Sequence, residues 1–350
     1  MKAAILYNDR DIRVGTASDP VLKGDEVLVA SRYAGICGTD LHIYRGEFHN
    51  RVKYPAILGH EFGGIVVELG KGVKGLKVGD RVVVDPIISC MRCTACLTGH
   101  INACRTLKLL GVDLDGGFGE CVAVPTDRIL PLPEAISMED APMVELYSIG
   151  HHVLERGRVQ PGETVVILGA GKVGLSVLDV LCHSAKPGMA VSVDREDFRL
   201  GVASRIGAEA TINIQREDAI ARVLELTAGE GADCVIETVG HYTVAEGQES
   251  PLGQAVRMVR NGGRIVTLGL GEQTSAVHFK TFVIKEAEMI ASRVTRGEFP
   301  RAIRLLSKGL LHPELLITHC LPIRDVTKAF GQLDREDPET LKVVLAMQAW

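Results

Sequence analysis

Between positions 35 and 64 the chain reads Gly-Ile-Cys37-Gly-Thr39-Asp40-Leu-His42 and later Gly59-His60-Glu61. A thiol, an imidazole and a carboxylate are therefore offered between residues 37 and 61. A mixed donor set with one coordination position left open is what a catalytic zinc site requires. Taken singly, each side chain has a plainer reading: a small buried cysteine, a turn histidine, a surface glutamate. A second group is more specific. Cys90-Met-Arg-Cys93-Thr-Ala-Cys96 is followed by Cys104, and two residues between successive thiols let backbone amides fold back onto the sulfurs. Four thiolates close a tetrahedron and leave no vacancy, so such a site is structural. A redox dithiol of the Cys-x-x-Cys kind is the alternative. Pro142-Met-Val-Glu145-Leu146 adds a carboxyl amid apolar neighbours, which is costly to bury unless it is paired or coordinated.

A third stretch handles phosphate. Thr164-Val-Val-Ile-Leu168 is a continuous apolar run that enters Gly169-Ala-Gly171-Lys172-Val173-Gly174, and a helical pattern continues through Leu175, Leu178 and Leu181. Glycines between a strand and a helix let the backbone approach a pyrophosphate seated at the helix N-terminus. Asp194 ends the next apolar run, twenty residues after Gly174, the offset expected for an acid on the adenosine ribose. Its charge would repel a 2′-phosphate and so favours NAD. Arg195 beside it works the other way, because a basic residue there could meet that phosphate.

The elements that must position these groups change character along the chain. Up to about residue 150, short apolar runs alternate with glycine-rich turns, as at Glu26–Ala30, Gly64–Leu69, Arg81–Asp85 and Glu120–Val124, which predicts a small barrel or sandwich. Beyond it, buried-strand runs recur at Thr164–Leu168, Ala190–Asp194, Ala210–Ile214, Asp233–Val239, Arg264–Leu268 and Met289–Ala291, with helical patterns between them, notably Asp218–Thr227. Six such strands predict a doubly wound parallel sheet, with Val239-Gly240 and Leu268-Gly269 ending strands four and five, where ligands bind. Amphipathic helices at Phe299–Ser307 and Asp325–Leu333 and a strand from Lys342 complete the chain.

A length of 350 residues suggests two domains, and 46% hydrophobic with 24% charged residues fits a soluble globular protein. The net charge of −5 gives no basic surface for nucleic acid or an anionic membrane. The apolar opening before Asn8 is too short for a signal peptide, and no uninterrupted apolar window is long enough to span a bilayer. These features place the protein in the cytoplasm. Nine cysteines, an odd number, argue against a disulfide framework. Metal accounts for five, and the other four, Cys121, Cys182, Cys234 and Cys320, read as buried small hydrophobes.

Cys37-Gly-Thr39-Asp40-Leu-His42 followed by Gly59-His60-Glu61 resembles the zinc-dependent medium-chain dehydrogenases, the group of alcohol, polyol and threonine dehydrogenases. The resemblance extends over essentially the whole chain and includes the four-cysteine lobe and the glycine turn. It implies a GroES-like β-rich catalytic domain (1–150 and 291–350) plus a doubly wound parallel-sheet Rossmann domain (151–290), the tail returning to the first domain. It implies a catalytic zinc on Cys37, His60 and a carboxylate from Glu61, Glu145 or both in turn, and a structural zinc on Cys90, Cys93, Cys96 and Cys104. Relatives carry proline after the acid at 145, where this chain has Leu146. Thr39 and His42 match the relay that passes a proton outward through the cofactor ribose. For NAD, the resemblance points to Gly169, Gly171, Lys172, Val173, Gly174, Asp194, Arg195, Arg199, Val239, Gly240, Leu268 and Gly269. It places Phe118, within Leu110–Glu120, near the substrate, although tandem glycines before an aromatic are equally those of a plain hairpin. The segments Val84–Cys90, Ala291–Phe299 and Leu316–His319 look like the subgroup of L-gulonate and L-galactonate 5-dehydrogenases. Arg293 and Arg296 would there hold a sugar-acid carboxylate bidentately, the plainer reading being a solvated basic face. The implied reaction is oxidation of a secondary alcohol of a polyol or sugar acid to the ketone, with sorbitol and L-threonine as alternative substrates. The implied assembly is a homodimer or homotetramer. A retired dehydrogenase acting as a sensor would lack a ligand or relay residue, and a metal-free quinone reductase would lack the four-cysteine lobe; this chain has both.

Overall fold

The computed structural model describes residues 1–47, 50–240, 249–271, 274–335, 337–348 and 350. The chain forms two compact units, one of Met1–Leu146 with Thr295–Trp350 and the other of Tyr147–Val294. The first boundary falls inside the helix Met143–Gly157. Among the described residues no helix is long and apolar enough to cross a membrane.

The first unit is built on a seven-stranded sheet. Its order is Ile129–Pro131, Arg81–Val84, Glu61–Leu69, Glu26–Ile36, Lys342–Ala346, Ile317–Pro322, and Cys121–Pro125 also pairs with Glu26–Ile36. The last strand in the chain is thus bonded to one of the first: Val343 pairs with Ile36 and Val344 with Gly35, antiparallel. On the other side of the same central strand, Gly35 pairs with Glu61. Three segments far apart in sequence are thereby brought side by side at one strand end. The helix Gly38–Tyr44 leaves that end, capped by Cys37 and Asp40.

In the second unit six strands lie in the order Ala210–Asn213, Met189–Asp194, Thr164–Leu168, Ala232–Glu237, Val259–Thr267, Glu288–Ala291. All neighbours pair in parallel. This is the dinucleotide-binding strand order, with its topological switch between the first and fourth strands in sequence. Strands buried on both faces read as continuous apolar runs, and Val165, Val166 and Ile167 are fully buried. Val166, Val191, Ile212, Val235 and Ile265 pack in one core cluster with Val223 and Val256 from helices. Asp218 caps the helix Ala219–Leu226, its side chain accepting from Ile220 and Ala221 amides.

Three sequence expectations need correction here. The run Met289–Ala291 reads as a buried strand, yet Glu288–Ala291 is the outermost strand and mostly exposed, because nothing pairs with its far edge among the described residues. Strands four and five end at Glu237 and Thr267, so Val239-Gly240 and Leu268-Gly269 lie just beyond them, in the loops. Of the four cysteines read as buried, only Cys234 is; Cys121 and Cys182 are half-buried and Cys320 is exposed, since Ile317–Pro322 closes one end of its sheet.

Candidate functional site

Cys37 follows the last residue of the central strand of the first unit and caps the next helix, while His60 stands just before the neighbouring strand, which Glu61 opens. Sγ of Cys37, a ring nitrogen of His60 and a carboxylate oxygen of Glu61 all lie within 4.8 Å of one another. His60 is 4% exposed and Glu61 not at all. Two glycines make this approach possible. A Cβ on Gly35 would meet the Glu61 carboxylate and the Lys342 side chain, and one on Gly59 would come within 2.5 Å of the Phe118 ring. Gly59 also adopts φ +94°, which only glycine accepts without strain.

Behind the three donors stand residues that the sequence did not single out. Asp40 is fully buried. Its Oδ2 accepts the Cys37 amide at 2.8 Å and its Oδ1 the Gly59 amide at 3.4 Å. The same Oδ1 lies 3.6 Å from His60 Nδ1, close enough for electrostatic attraction. Lys342, also fully buried, forms an ion pair with Glu61, and its Nζ donates to the Ile36 carbonyl at 3.4 Å. The signal that could have found Asp40 is its place three residues after Cys37, the spacing of a capping box. Nothing in the local sequence around Lys342 names its partner, 281 residues away.

Burial alone would lower the His60 pKa, but Asp40 and the Cys37 thiolate outweigh it and raise it well above its ordinary value. Burial and the neighbouring Glu61 push the Glu145 carboxyl up to about 8. Glu145 Oε2 and His60 Nδ1 are buried without a hydrogen-bond partner among the described residues. A set of sulfur, imidazole and carboxylates with polar atoms of this kind turned on one another fits a metal ion chemically. Glu145 lies outside the tight three-donor set, although close enough to feel both Glu61 and His60.

The four-cysteine group also comes together, with all four sulfurs within 4.8 Å of one another. Cys93 Sγ is 3.5 Å from Cys96 Sγ and 4.0 Å from Cys104 Sγ. Backbone amides of Arg92 and Cys93 lower the Cys90 thiol to about 6, whereas burial beside Cys93 and Cys104 pushes Cys96 up to about 12. Four adjacent sulfurs of this kind ionise together only around a cation, so they too fit a metal.

Thr39 and His42 lie one turn apart on the helix Gly38–Tyr44; His42 is 42% exposed and pairs with Glu47. Phe118 requires a correction. It is fully buried, wedged against Gly59 and edge-on to Phe330 at 6.2 Å. The ring supports the back of the His60 segment, because the Gly116-Gly117 turn folds it inward, and it presents no surface to a ligand. Arg293 is exposed and Arg296 half-buried, the latter's amide bonded to Glu298.

In the second unit Gly169 leaves its strand at φ +97°, and a Cβ on it would come within 2.7 Å of Thr238 Oγ1. A Cβ on Gly174 would collide with the Gly169 carbonyl, whereas one on Gly171 would meet nothing within 4 Å. Gly169 and Gly174 thus serve the turn itself, while Gly171 leaves open space at the start of the helix Lys172–Val180, whose N-cap it is. Val173 follows in the first turn, its carbonyl accepting from Ser176 at 2.7 Å. Asp194 Oδ2 accepts the Ala170 amide at 2.6 Å, tying the acid to the glycine turn. Arg195 Nε is engaged by Glu196 at 3.1 Å, and Arg199 is half-buried on the helix Asp197–Ile206.

Comparison with known proteins agrees with this geometry. The family profile described as the alcohol dehydrogenase GroES-like domain matches residues 23–134, and that of the zinc-binding dehydrogenase matches 173–308. Sorbitol dehydrogenase of Bacillus subtilis (strain 168) is 33% identical over 99% of this chain and 97% of its own. L-galactonate-5-dehydrogenase of Escherichia coli (strain K12) is 31% identical over 93% of each chain. The crystal structure of an alcohol dehydrogenase (rspB) from Escherichia coli CFT073, complexed with cofactor NADH, matches with a TM-score of 0.91 at 34% identity, covering 99% of each chain.

Proposed function

The chain belongs to the zinc-type medium-chain dehydrogenases, and from that premise we propose that it oxidises a secondary alcohol of a polyol or sugar acid to the ketone, with NAD as hydride acceptor. The observation that carries this reading is the set of half-buried Cys37 with buried His60 and Glu61, with donor atoms all within 4.8 Å. A zinc ion held there, with Glu145 as the adjoining carboxylate, would supply a Lewis acid that lowers the pKa of an alcohol. Cys90, Cys93, Cys96 and Cys104 would hold a second, structural ion.

The chain's own residues supply the rest. Thr39 takes the substrate proton and His42, exposed and paired with Glu47, delivers it to solvent. The open space at Gly171 and the N-terminus of the helix Lys172–Val180 receive the pyrophosphate, and Asp194 binds the adenosine ribose. Glu196 occupies the Arg195 guanidinium, which supports NAD over NADP. Backbone at Val239, Gly240, Leu268 and Gly269 faces the nicotinamide. Arg293 and Arg296 are assigned to a sugar-acid carboxylate, in line with the similarity to an L-galactonate-5-dehydrogenase. Similarity to a sorbitol dehydrogenase favours a neutral polyol as the second reading. Nine free thiols suit a reducing compartment, the cytoplasm.

Metal content of about two zincs per chain, and NADH formation across L-gulonate, L-galactonate, sorbitol and L-threonine, test the proposal together. Zinc-replete protein that reduces NAD with none of these would sink it; turnover of sorbitol alone would select the neutral-polyol reading. We assign assembly to the nucleotide-binding unit, where the edge strand Glu288–Ala291, its outer side without a neighbour among the described residues, lies in the same unit as Phe279 and Ile284, 73% and 69% exposed. Light scattering that finds only monomer would overturn that assignment.

A further inference from the structure

Glu237 is the last residue of the strand Ala232–Glu237 and is 1% exposed. Among the described residues no lysine, arginine or histidine pairs with its carboxylate. Instead Oε1 accepts the amides of Val239 at 2.7 Å and Gly240 at 2.8 Å, and Oε2 accepts the Thr267 hydroxyl at 3.2 Å. The Glu237 carbonyl accepts the Leu268 amide at 3.1 Å. One residue therefore holds the exits of two neighbouring parallel strands. The next residue extends the link to a third, since Thr238 Oγ1 donates to the carbonyls of Leu168 at 2.8 Å and Gly169 at 3.1 Å.

A buried carboxyl without a cationic partner is an expensive way to close a loop, and a short polar turn residue would suffice for folding alone. The position explains the choice. Ligands of a doubly wound sheet bind outside the carboxyl ends of its strands, and the two exits held here pack without slack. A Cβ on Gly269 would collide with the Gly240 backbone and come within 3.0 Å of Glu237 Oε2. Gly240 itself stands at φ +84°, a backbone state that the carboxylate bond to its amide keeps in place.

We propose that Glu237 is a positioning residue for the nicotinamide half of the dinucleotide. It touches no ligand. It sets the backbone of Val239-Gly240 against Leu268-Gly269, and those segments present their peptide groups to the ring. The inference rests on the reading of this unit as an NAD site. It differs from the roles of Asp194 and the glycine turn, which serve the adenosine and pyrophosphate end.

Calorimetric titration of Glu237→Ala, Glu237→Gln and the unaltered protein with NADH and with ADP-ribose, which lacks the nicotinamide, tests it. Loss of hydrogen bonds to two amides is expected to weaken NADH binding about tenfold in Glu237→Ala and to leave ADP-ribose binding unchanged. Glu237→Gln keeps an acceptor for both amides and an N–H for the Thr267 oxygen, so it should restore NADH binding to within about threefold. Equal weakening of both ligands, no weakening of either, or a glutamine variant as impaired as the alanine one would overturn the inference. Should Glu237→Ala not fold, Thr267→Val carries the test, with selective loss for NADH expected and unchanged NADH binding against it. If the unaltered protein binds neither NADH nor ADP-ribose, the NAD reading itself fails.

Discussion

The two metal-capable clusters of the first unit are built in opposite ways. The four-cysteine lobe draws all its donors from residues 90 to 104, carried on short pieces such as the helix Thr94–Leu97 and the turn Ile101–Ala103. Its surroundings are half exposed, and its sulfurs are gathered by the spacing of one continuous stretch. In the Cys37, His60 and Glu61 set the imidazole and the carboxylate are buried and the thiol half-buried, and the set depends on residues that run from Gly35 to Lys342. A structural site needs only closure, which local spacing provides. A catalytic site needs donors of different types held rigidly with a position to spare, and that takes a supporting shell.

That contrast is breakable by experiment, beginning with the donors. His60→Ala is expected to lower kcat/KM on the order of a thousandfold and to reduce zinc from about two to about one per chain. Activity within tenfold of normal would refute the assignment of the buried set as the reactive one. Next in size is Lys342→Met, which strands the Glu61 carboxylate in a site where both side chains are fully buried. Urea denaturation of the zinc-free variant should show a loss of about 3 kcal/mol; a change below about 1 kcal/mol would mean that Glu61 readily finds another partner. Asp40→Asn should weaken zinc binding at the buried site roughly ten- to a hundredfold while the lobe keeps its ion. If both sites weaken alike, Asp40 serves the whole unit and not His60 in particular.

The smallest effect on catalysis should come from the lobe. Cys93→Ser is expected to release one zinc and loosen residues 90 to 104, read as faster amide hydrogen exchange there, with kcat within about fivefold of normal. Collapse of activity to the level of His60→Ala would erase the distinction between a local clip and a reactive centre.

Much was legible without coordinates, for reasons specific to each residue. Cys90-x-x-Cys93-x-x-Cys96 and Gly169-x-Gly171-x-x-Gly174 encode their geometry in spacing, because the donors or turn residues are close neighbours along the chain. Asp194 was found by its offset from Gly174, since one strand–helix–strand passage has a nearly constant length. The central strand runs of the second unit, such as Thr164–Leu168, are legible because a parallel sheet covered on both faces leaves no alternation.

Tertiary structure decided the rest. Phe118, taken as a substrate contact, proved to be the wedge behind Gly59, a matter of which way one turn folds. The apolar run at Met289 became an exposed edge, since apolar content does not reveal whether a strand has neighbours on both sides. Lys342 meets Glu61 across 281 residues, and Glu237 joins two strand exits 30 residues apart. Local spacing constrains only what the backbone can reach in a few bonds. Groups that meet through sheet pairing owe their contact to the register of strands distant in sequence, which no motif states.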